Sequence, residues 1–573
     1  MKLKQEVSDD KLHGRYYTPK RIADYVTNWV LTQNEVIHSI LEPSVGDGVF
    51  LECISESHNK LDNTRIIALE VDERASIEAA KKIDNIELVN SWDNARSCNR
   101  AVIQDDFYKA YRNGLDKQQY QAILGNPPYI RYQYLDESQR IEQSEILVKN
   151  GMSSNKLINA WVSFTVACVS CMADNSRIGF VLPAELLQVK YSEDLRKFLT
   201  SHLNKITIIT FSNLVFEGIE QEVVLLLGEK IGGHKNHLIR IIQFDDVDQM
   251  ESQNIENHEF FEADISSSKW TRYFLPDKNL ESVQYAEKDD RLVRFSSIAK
   301  CEVGITTGNN NYFCINNETV RTFRLAEFCT PLIARSVNIR GIEFTENDWK
   351  FNVDSGARTY LLNLTPFNKE QFNKGVLNYI KHGEETEQNS TYKCRIRDEW
   401  YKVPSVWSPD AFFLRRNYLY PKFMLNTDEV KAVSTDTMHR VVLKNPNNKK
   451  RIVVAYYTSV ALLFSELEGR SYGGGVLEIL PGEVGNIMLP NIFDQRIVSD
   501  TDIEALFKTT DNYIRSHDDI IELLEINDQA ILIDKLGFTN EEVTNLRNAW
   551  IALRNRRMVR GGKTATDLVE SYD

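Results

Sequence analysis

The tetrapeptide Asn126-Pro127-Pro128-Tyr129 follows the apolar run Ala122-Ile123-Leu124. Proline has no backbone N–H and a locked φ, so the turn is stiff and presents carbonyl oxygens without competing amides. The Asn126 side-chain oxygen and the Pro127 carbonyl can together accept both hydrogens of one amino group. A conjugated amino nitrogen is a weak nucleophile because its lone pair is spread into its ring. Two acceptors on one side favour pyramidal nitrogen and return that pair to the attacking direction. Tyr129 adds a ring face on which a planar base can stack.

Three further positions carry chemistry at the ends of other apolar runs. Gly46-x-Gly48 sits in Glu42-Pro43-Ser44-Val45-Gly46-Asp47-Gly48, where glycines let a turn bring its amides against a nucleotide-like ligand. Glu70 ends the next run, and a carboxylate there can accept both hydroxyls of a ribose. Asp106-Phe107 offers an acceptor for an adenine amino group and a face for its ring, although an N-capping Asp beside a core Phe explains the pair almost as well. Their order along the chain raises these readings above an isolated motif.

The elements that must hold these residues are legible from about 10 to 230. Thr18-Pro19 opens a helix with Ile22, Val26 and Val30 on one face. Strand-like runs follow at Val36–Leu41, Arg65–Leu69, Ala101–Gln104, Gln121–Leu124, Ile178–Leu182, Ile206–Thr210 and Glu222–Leu227, most of them far enough apart for a crossover helix. That alternation predicts an α/β fold, a mostly parallel sheet whose ligands bind at the strands' carboxyl ends. The last two runs are too close for a crossover and should pair antiparallel at one edge. The pattern shifts near Gly232-Gly233. The predicted organisation is a domain over 1–235, a β-rich recognition domain over 236–500, and a helical segment with a tail over 501–573.

Ordinary globular composition supports this, with 42% hydrophobic and 26% charged residues among 573. No run of about 18 apolar residues spans a membrane. The N-terminus lacks an apolar signal core and eight cysteines are too few for a disulfide framework, so the expected compartment is the cytoplasm. Cys168-x-x-Cys171 has no second pair or nearby His; it reads as helix core, and no metal site is expected.

Taken together, the motifs resemble the gamma-class, TaqI-like N6-adenine DNA methyltransferases, over residues 14 to about 228. Gly14-Arg-Tyr-Tyr17-Thr18-Pro19 resembles that family's N-terminal cofactor element, Glu42 to Leu51 its cofactor loop, Asn126 to Tyr129 its catalytic motif, and Val215-Phe216 a later motif. The resemblance implies a Rossmann-like domain binding S-adenosyl-L-methionine through Tyr17, Thr18, Glu42, Ser44, Gly46, Gly48, Glu70, Asp106, Phe107, Asn126 and Pro128. It implies catalysis by Asn126, Pro127 and Tyr129, with the target adenine flipped between Tyr129 and Phe216. The expected function is site-specific methylation of double-stranded DNA. The enzyme would be an orphan, or the modification half of a restriction–modification system whose endonuclease acts on the same site. Val303 to Phe313 and Tyr472 to Pro481 resemble recognition-region motifs, and equally suit glycine-rich hairpin turns.

Competing readings are a methyltransferase of RNA bases or protein glutamine, and a bifunctional enzyme with a nuclease centre at Pro409-Asp410 and Glu429-Val430-Lys431. A decayed scaffold is disfavoured because every expected position is filled. The net charge of −14 opposes a wholly basic coat, so contacts to a polyanion must be concentrated. Between Lys393 and Phe423 there are seven basic and three acidic residues with aromatics interleaved, and Arg395, Arg397, Arg415 and Arg416 are the expected DNA contacts. Arg554, Arg556, Arg557, Arg560 and Lys563 form a second basic cluster.

Overall fold

The computed structural model describes residues 18–32, 36–57, 61, 63–212, 222–263, 269–472 and 474–559. Tyr17, Phe216, Arg560 and Lys563 lie outside the described residues. The chain divides into two compact units, Met1–Phe274 and Leu275–Asp573.

The strands of the first unit are β1 (Ser39–Glu42), β2 (Arg65–Glu70), β3 (Glu87–Val89), β4 (Arg100–Gln104), β5 (Tyr120–Gly125), β6 (Met172–Pro183), β7 (Lys205–Phe211), β8 (Val223–Lys230), β9 (Leu238–Phe244) and β10 (Phe261–Glu262). They form one sheet in the order β10-β9-β7-β8-β6-β5-β1-β2-β4-β3. β1 pairs in parallel with both β2 and β5, and β2–β4, β3–β4 and β5–β6 are parallel as well. The strand order therefore reverses between β1 and β5, the point at which open α/β sheets bind ligands.

Helices cover the sheet where the apolar spacing placed them. Helix α1 (Lys20–Leu31) buries Ile22, Val26 and Val30. It approaches β6 so closely at Gly179 that a Cβ there would stand 2.6 Å from Val26 and 2.7 Å from Val30. Only glycine permits this approach, and it fixes Thr18, just before the helix, above the sheet. The site is further framed by α2 (Val49–Glu56), α3 (Glu73–Ala79), α4 (Phe107–Arg112), α5 (Glu137–Lys149) and the buried α6 (Ala160–Ser170), which carries Cys168 in its core.

β8 is antiparallel to both neighbours, as its short connection requires, but it lies between β6 and β7 rather than at the edge. β7 then adds β9 in parallel, and β10 pairs antiparallel beyond it. The glycine-rich segment near 232 is accordingly a turn within the sheet. Asn204 pins it by accepting from the Ile231 amide at 2.7 Å and donating to the His234 carbonyl at 3.0 Å. Buried Arg240 sews β9 in place through Thr207 and the Ile255 and His258 carbonyls. The first compact unit thus reaches Phe274 rather than the expected 235.

The second unit interleaves short strands with helices. A five-stranded sheet runs Ala299–Val303, Met438–Leu443, Ala411–Leu414, Phe423–Asn426, Glu343–Phe344, and a four-stranded one runs Cys314–Ile315, Tyr360–Leu362, Cys329–Ile333, Val433–Ser434. The helices after residue 500 belong to the same unit. Buried Asp528 accepts from the Ser459 amide at 2.9 Å and from Arg547 at 3.0 Å, and Asn527 donates to the Tyr457 carbonyl at 2.9 Å. The expected boundary at 500 therefore falls inside a packed body.

Candidate functional site

In the first unit, the loops after β1, β2, β4 and β5 enclose a cavity of about 790 Å³, within the range of small-molecule sites. Its wall includes Thr18, Ser44, Gly46, Glu70, Asp106, Phe107, Asn126 and Pro128. Eight expected cofactor residues, far apart in sequence, therefore meet at one surface.

The glycine turn is shaped by backbone needs. Gly46 and Gly48 have φ of +56° and +84°, the left-handed region that side chains disfavour. A Cβ on Gly48 would stand 2.8 Å from the Ala79 Cα. The turn is tied to β2 by the Val45 amide, which donates to the Leu69 carbonyl at 2.8 Å. Glu70 clamps it further, accepting from the Gly46 amide at 2.9 Å and from the Asp72 amide at 2.9 Å. Each carboxylate oxygen keeps a second lone pair for a ligand.

At the other end, Asp106 caps α4 by accepting from the Lys109 amide at 3.1 Å and also accepts from the Gln139 side chain at 2.8 Å. Asp106 therefore caps a helix, as one reading of the sequence expected, and also lines the cavity. Phe107 is buried against Phe164, ring centroids 4.2 Å apart. Asp105, Gln139 and Phe164 line the same wall, and the sequence reading gave none of them a role there. The Asp105 Oδ2 is buried with no hydrogen-bond partner among the described residues. Phe164 and Gln139 sit inside helices, where an apolar or polar residue carries no local sign of a ligand.

Around the Asn126 turn, the Asn126 side-chain amide donates to the Thr18 hydroxyl at 3.1 Å, and the Ser44 hydroxyl donates to the Asn126 carbonyl at 3.0 Å. The N-terminal helix, the β1 loop and the β5 loop are thereby joined at one residue. Tyr129 packs against the sheet core, its hydroxyl donating to the Val181 carbonyl at 3.2 Å. Tyr129 and Pro127 are not part of the cavity wall, so the turn presents different residues to the cavity and away from it.

Glu42 lies fully buried at the end of β1, off the cavity wall, its Cγ 3.6 Å from where a Cβ on Gly125 would be. Neither of its carboxyl oxygens has a partner among the described residues. Burial, together with the charges of Asp47 and Glu70, pushes its carboxyl well above the usual range. A buried acceptor pair without a donor, beside a glycine cradle, fits a site that receives a cationic ligand.

In the second unit the expected DNA contacts separate. Arg395 is exposed, while Arg397 donates to the Thr306 carbonyl at 3.1 Å. Arg415 and Arg416 both donate to buried Glu478, at 2.9 and 3.2 Å. The interleaved Phe412 and Phe413 are core residues rather than a stacking surface. In the second cluster Arg557 is buried, bound to Glu466 at 2.7 Å, and Arg554 is buried over Trp550, so both are structural. Asp410 accepts from the Leu443 amide at 3.0 Å, whereas Glu429 is exposed, and no carboxylate group suited to a metal forms among the described residues. The Val303 to Phe313 segment runs from the end of a strand into the short helix Asn310–Phe313. Gly304 lies so close to Thr435 that a Cβ would stand 2.0 Å from its carbonyl oxygen, and Tyr312 stacks on Tyr379 at 4.7 Å. Tyr472 and Val476 pair across a hairpin.

Comparison with known proteins agrees with this division. Residues 50–216 match the family described as Eco57I restriction-modification methylase, and residues 267–532 match the C-terminal domain of Type II methyltransferase M.Eco57I. The Type II methyltransferase M.AccI of Acinetobacter calcoaceticus is 24% identical over 499 residues, covering 84% of this chain and 85% of that one. M.HincII of Haemophilus influenzae is 29% identical over 245 residues, 43% of this chain and 42% of its own. The Type IIL restriction-modification enzyme MmeI, solved in complex with DNA, superposes with a TM-score of 0.55 at 12% identity, over 91% of this chain and 73% of that one, a likeness of fold.

Proposed function

The chain belongs to the Type II restriction–modification DNA methyltransferases, and from that premise we propose that it methylates the N6 amino group of a specific adenine in double-stranded DNA, with S-adenosyl-L-methionine as donor. The observation that carries this reading is the joining of the Asn126 turn to the cavity: Asn126 and Pro128 belong to the same wall as Gly46, Glu70 and Asp106. Chemistry at an amino group and binding of a nucleoside-like donor are thereby brought to one place.

The donor supplies an electrophilic methyl group on a sulfonium. In the proposed arrangement Glu70 takes the ribose hydroxyls, Asp106 the adenine amino group, and Phe107 the ring face. Tyr17, Thr18, Ser44 and the Gly46–Gly48 turn take the amino-acid end, with the buried Glu42 carboxyl close behind, to be ionised as the cationic donor arrives. Asn126 and the Pro127 carbonyl accept the two hydrogens of the target amino group and direct its lone pair toward the methyl carbon. An adenine in the stack cannot reach that point, so it must flip out, to lie between Tyr129 and Phe216. No covalent intermediate and no metal are required by this displacement. The second unit reads the site, with Arg395 and Arg397, joined by Arg415 and Arg416, on phosphates. A restriction endonuclease acting on the same site is the proposed counterpart.

The test is digestion of plasmid DNA, after incubation with the protein and methyl-labelled donor, into nucleosides for mass spectrometry. N6-methyladenine confined to one sequence is expected. Label in cytosine, in RNA or in protein glutamine, with none in adenine, would overturn the assignment.

A further inference from the structure

The loop between α5 and α6 carries the second most exposed large apolar side chain among the described residues. Leu157 is 73% exposed, while Met152 and Ile158 on either side are 5% and 2% exposed. A lone exposed leucine is ordinary on a protein surface, so its position, rather than its exposure, is what matters.

The loop is anchored on both flanks. The Ser153 amide donates to Asp194 at 2.9 Å, and buried Gln143 donates to the Ile158 carbonyl at 3.0 Å. The Asn159 side chain donates to the Tyr191 hydroxyl at 3.3 Å, and that hydroxyl in turn donates to Glu185. Most directly, the Ala160 amide donates at 2.9 Å to the carbonyl of Ile130, the residue after Tyr129. Three residues of chain reach at most about 11 Å. Leu157 therefore stands within that distance of Ala160, whose amide is bonded to the chain just after the Asn126–Tyr129 turn. It is flanked by exposed Lys156, and exposed Arg131 follows Ile130; neither has an ion-pair partner among the described residues.

A flipped base leaves a gap between its neighbours of about 7 Å, twice the 3.4 Å rise per nucleotide of one strand. An apolar side chain that fills the gap restores contact with the exposed base faces and opposes re-entry of the base. We propose that Leu157 enters the duplex in place of the flipped adenine, with Lys156 and Arg131 on the adjoining phosphates. The inference rests on the proposed adenine methylation and adds to it the residue that holds the stack open.

The test uses duplexes bearing the sequence that the wild-type protein methylates, one fully paired and one with the target adenine opposite a non-complementary base. Leu157→Ala should lower the single-turnover rate on the paired duplex by about tenfold, the scale of a lost fraction of the unstacking energy. On the mismatched duplex, where that energy is already small, the loss should stay within about twofold. Leu157→Met should restore most of the rate, and calorimetric affinity for the donor should be unchanged in both variants. Lys156→Gln should flatten the log–log dependence of DNA binding on salt by about 0.9. Equal losses on the two duplexes, or no loss on either, would overturn the wedge, and an unchanged salt slope would overturn the phosphate contact. Failure of the wild type to methylate adenine in either duplex would instead overturn the reading beneath it.

Discussion

The Asn126 backbone carbonyl is held by the Ser44 hydroxyl whatever the side chain, so replacement of Asn126 removes one preorganised acceptor and the bond to Thr18 without dismantling the loop. Asn126→Ala should lower turnover by about 10² or more, with donor affinity nearly intact; single-turnover kinetics near wild type would refute its role. Glu42 is a buried carboxyl whose folded state holds its proton more tightly than the unfolded chain does. The unfolded carboxyl titrates near about pH 4.3, so above that pH the folded state is penalised progressively, until its own raised pKa is passed. Glu42→Gln should therefore raise the melting temperature of the ligand-free protein at pH 8. That gain should vanish at about pH 3, well below the unfolded carboxyl's value, where both forms are neutral. The same variant should bind the cationic donor more weakly. A melting temperature unchanged at pH 8 would show that the carboxyl is solvated or paired.

At the scale of elements, the site is a set of turns locked to neighbouring strands and helices. Gly48 begins α2 in a left-handed conformation against the Ala79 backbone. Gly48→Ala adds roughly 1 to 2 kcal/mol of backbone strain and a contact that backbone must relieve, so both folding stability and donor affinity should fall. Calorimetry that found affinity unchanged would separate the turn from donor binding. Asp106 unites a helix cap and a cavity wall in one side chain. Its replacement by Ala should cost about 1 kcal/mol of stability from the cap, in addition to any weakening of the donor. The cap uses only the Oδ1 of the carboxylate, which is why neither reading of the sequence excluded the other.

For the whole molecule, the question is how a chain of net charge −14 grips a polyanion. Arg395 stands free of ion pairs among the described residues, whereas Arg415 and Arg416 share Glu478. Arg395→Gln should flatten the salt dependence of DNA binding by about 0.9 in log–log slope and leave the melting temperature alone. The Arg415→Gln and Arg416→Gln pair should lower the melting temperature as well, because it removes both of those partners from a buried carboxylate. Slope and melting curve measured on the same variants separate the two roles, and an unchanged slope in Arg395→Gln would remove that residue from the phosphate path.

Local chemistry in the sequence determined the strands β1, β2, β4 to β8, the turn glycines, the Asn-Pro-Pro-Tyr corner and the carboxylates at successive strand ends. Each is written in contiguous residues, by apolar runs bounded by residues with one conformational purpose. Tertiary structure alone decided the rest. β3 is only three residues long, with Glu87 and Leu88 exposed and Val89 half-buried, and β9 follows a glycine-rich turn that reads as a linker until Asn204 is seen to close it. Phe164 and Gln139 join the cavity wall from helices whose own periodicity explains them as core and cap neighbours. The basic clusters dissolved into Arg557 with Glu466 and Arg415 and Arg416 with Glu478, because a charge's partner is chosen by folding across tens of residues. Composition cannot distinguish a charge already paired in this way from one left for DNA.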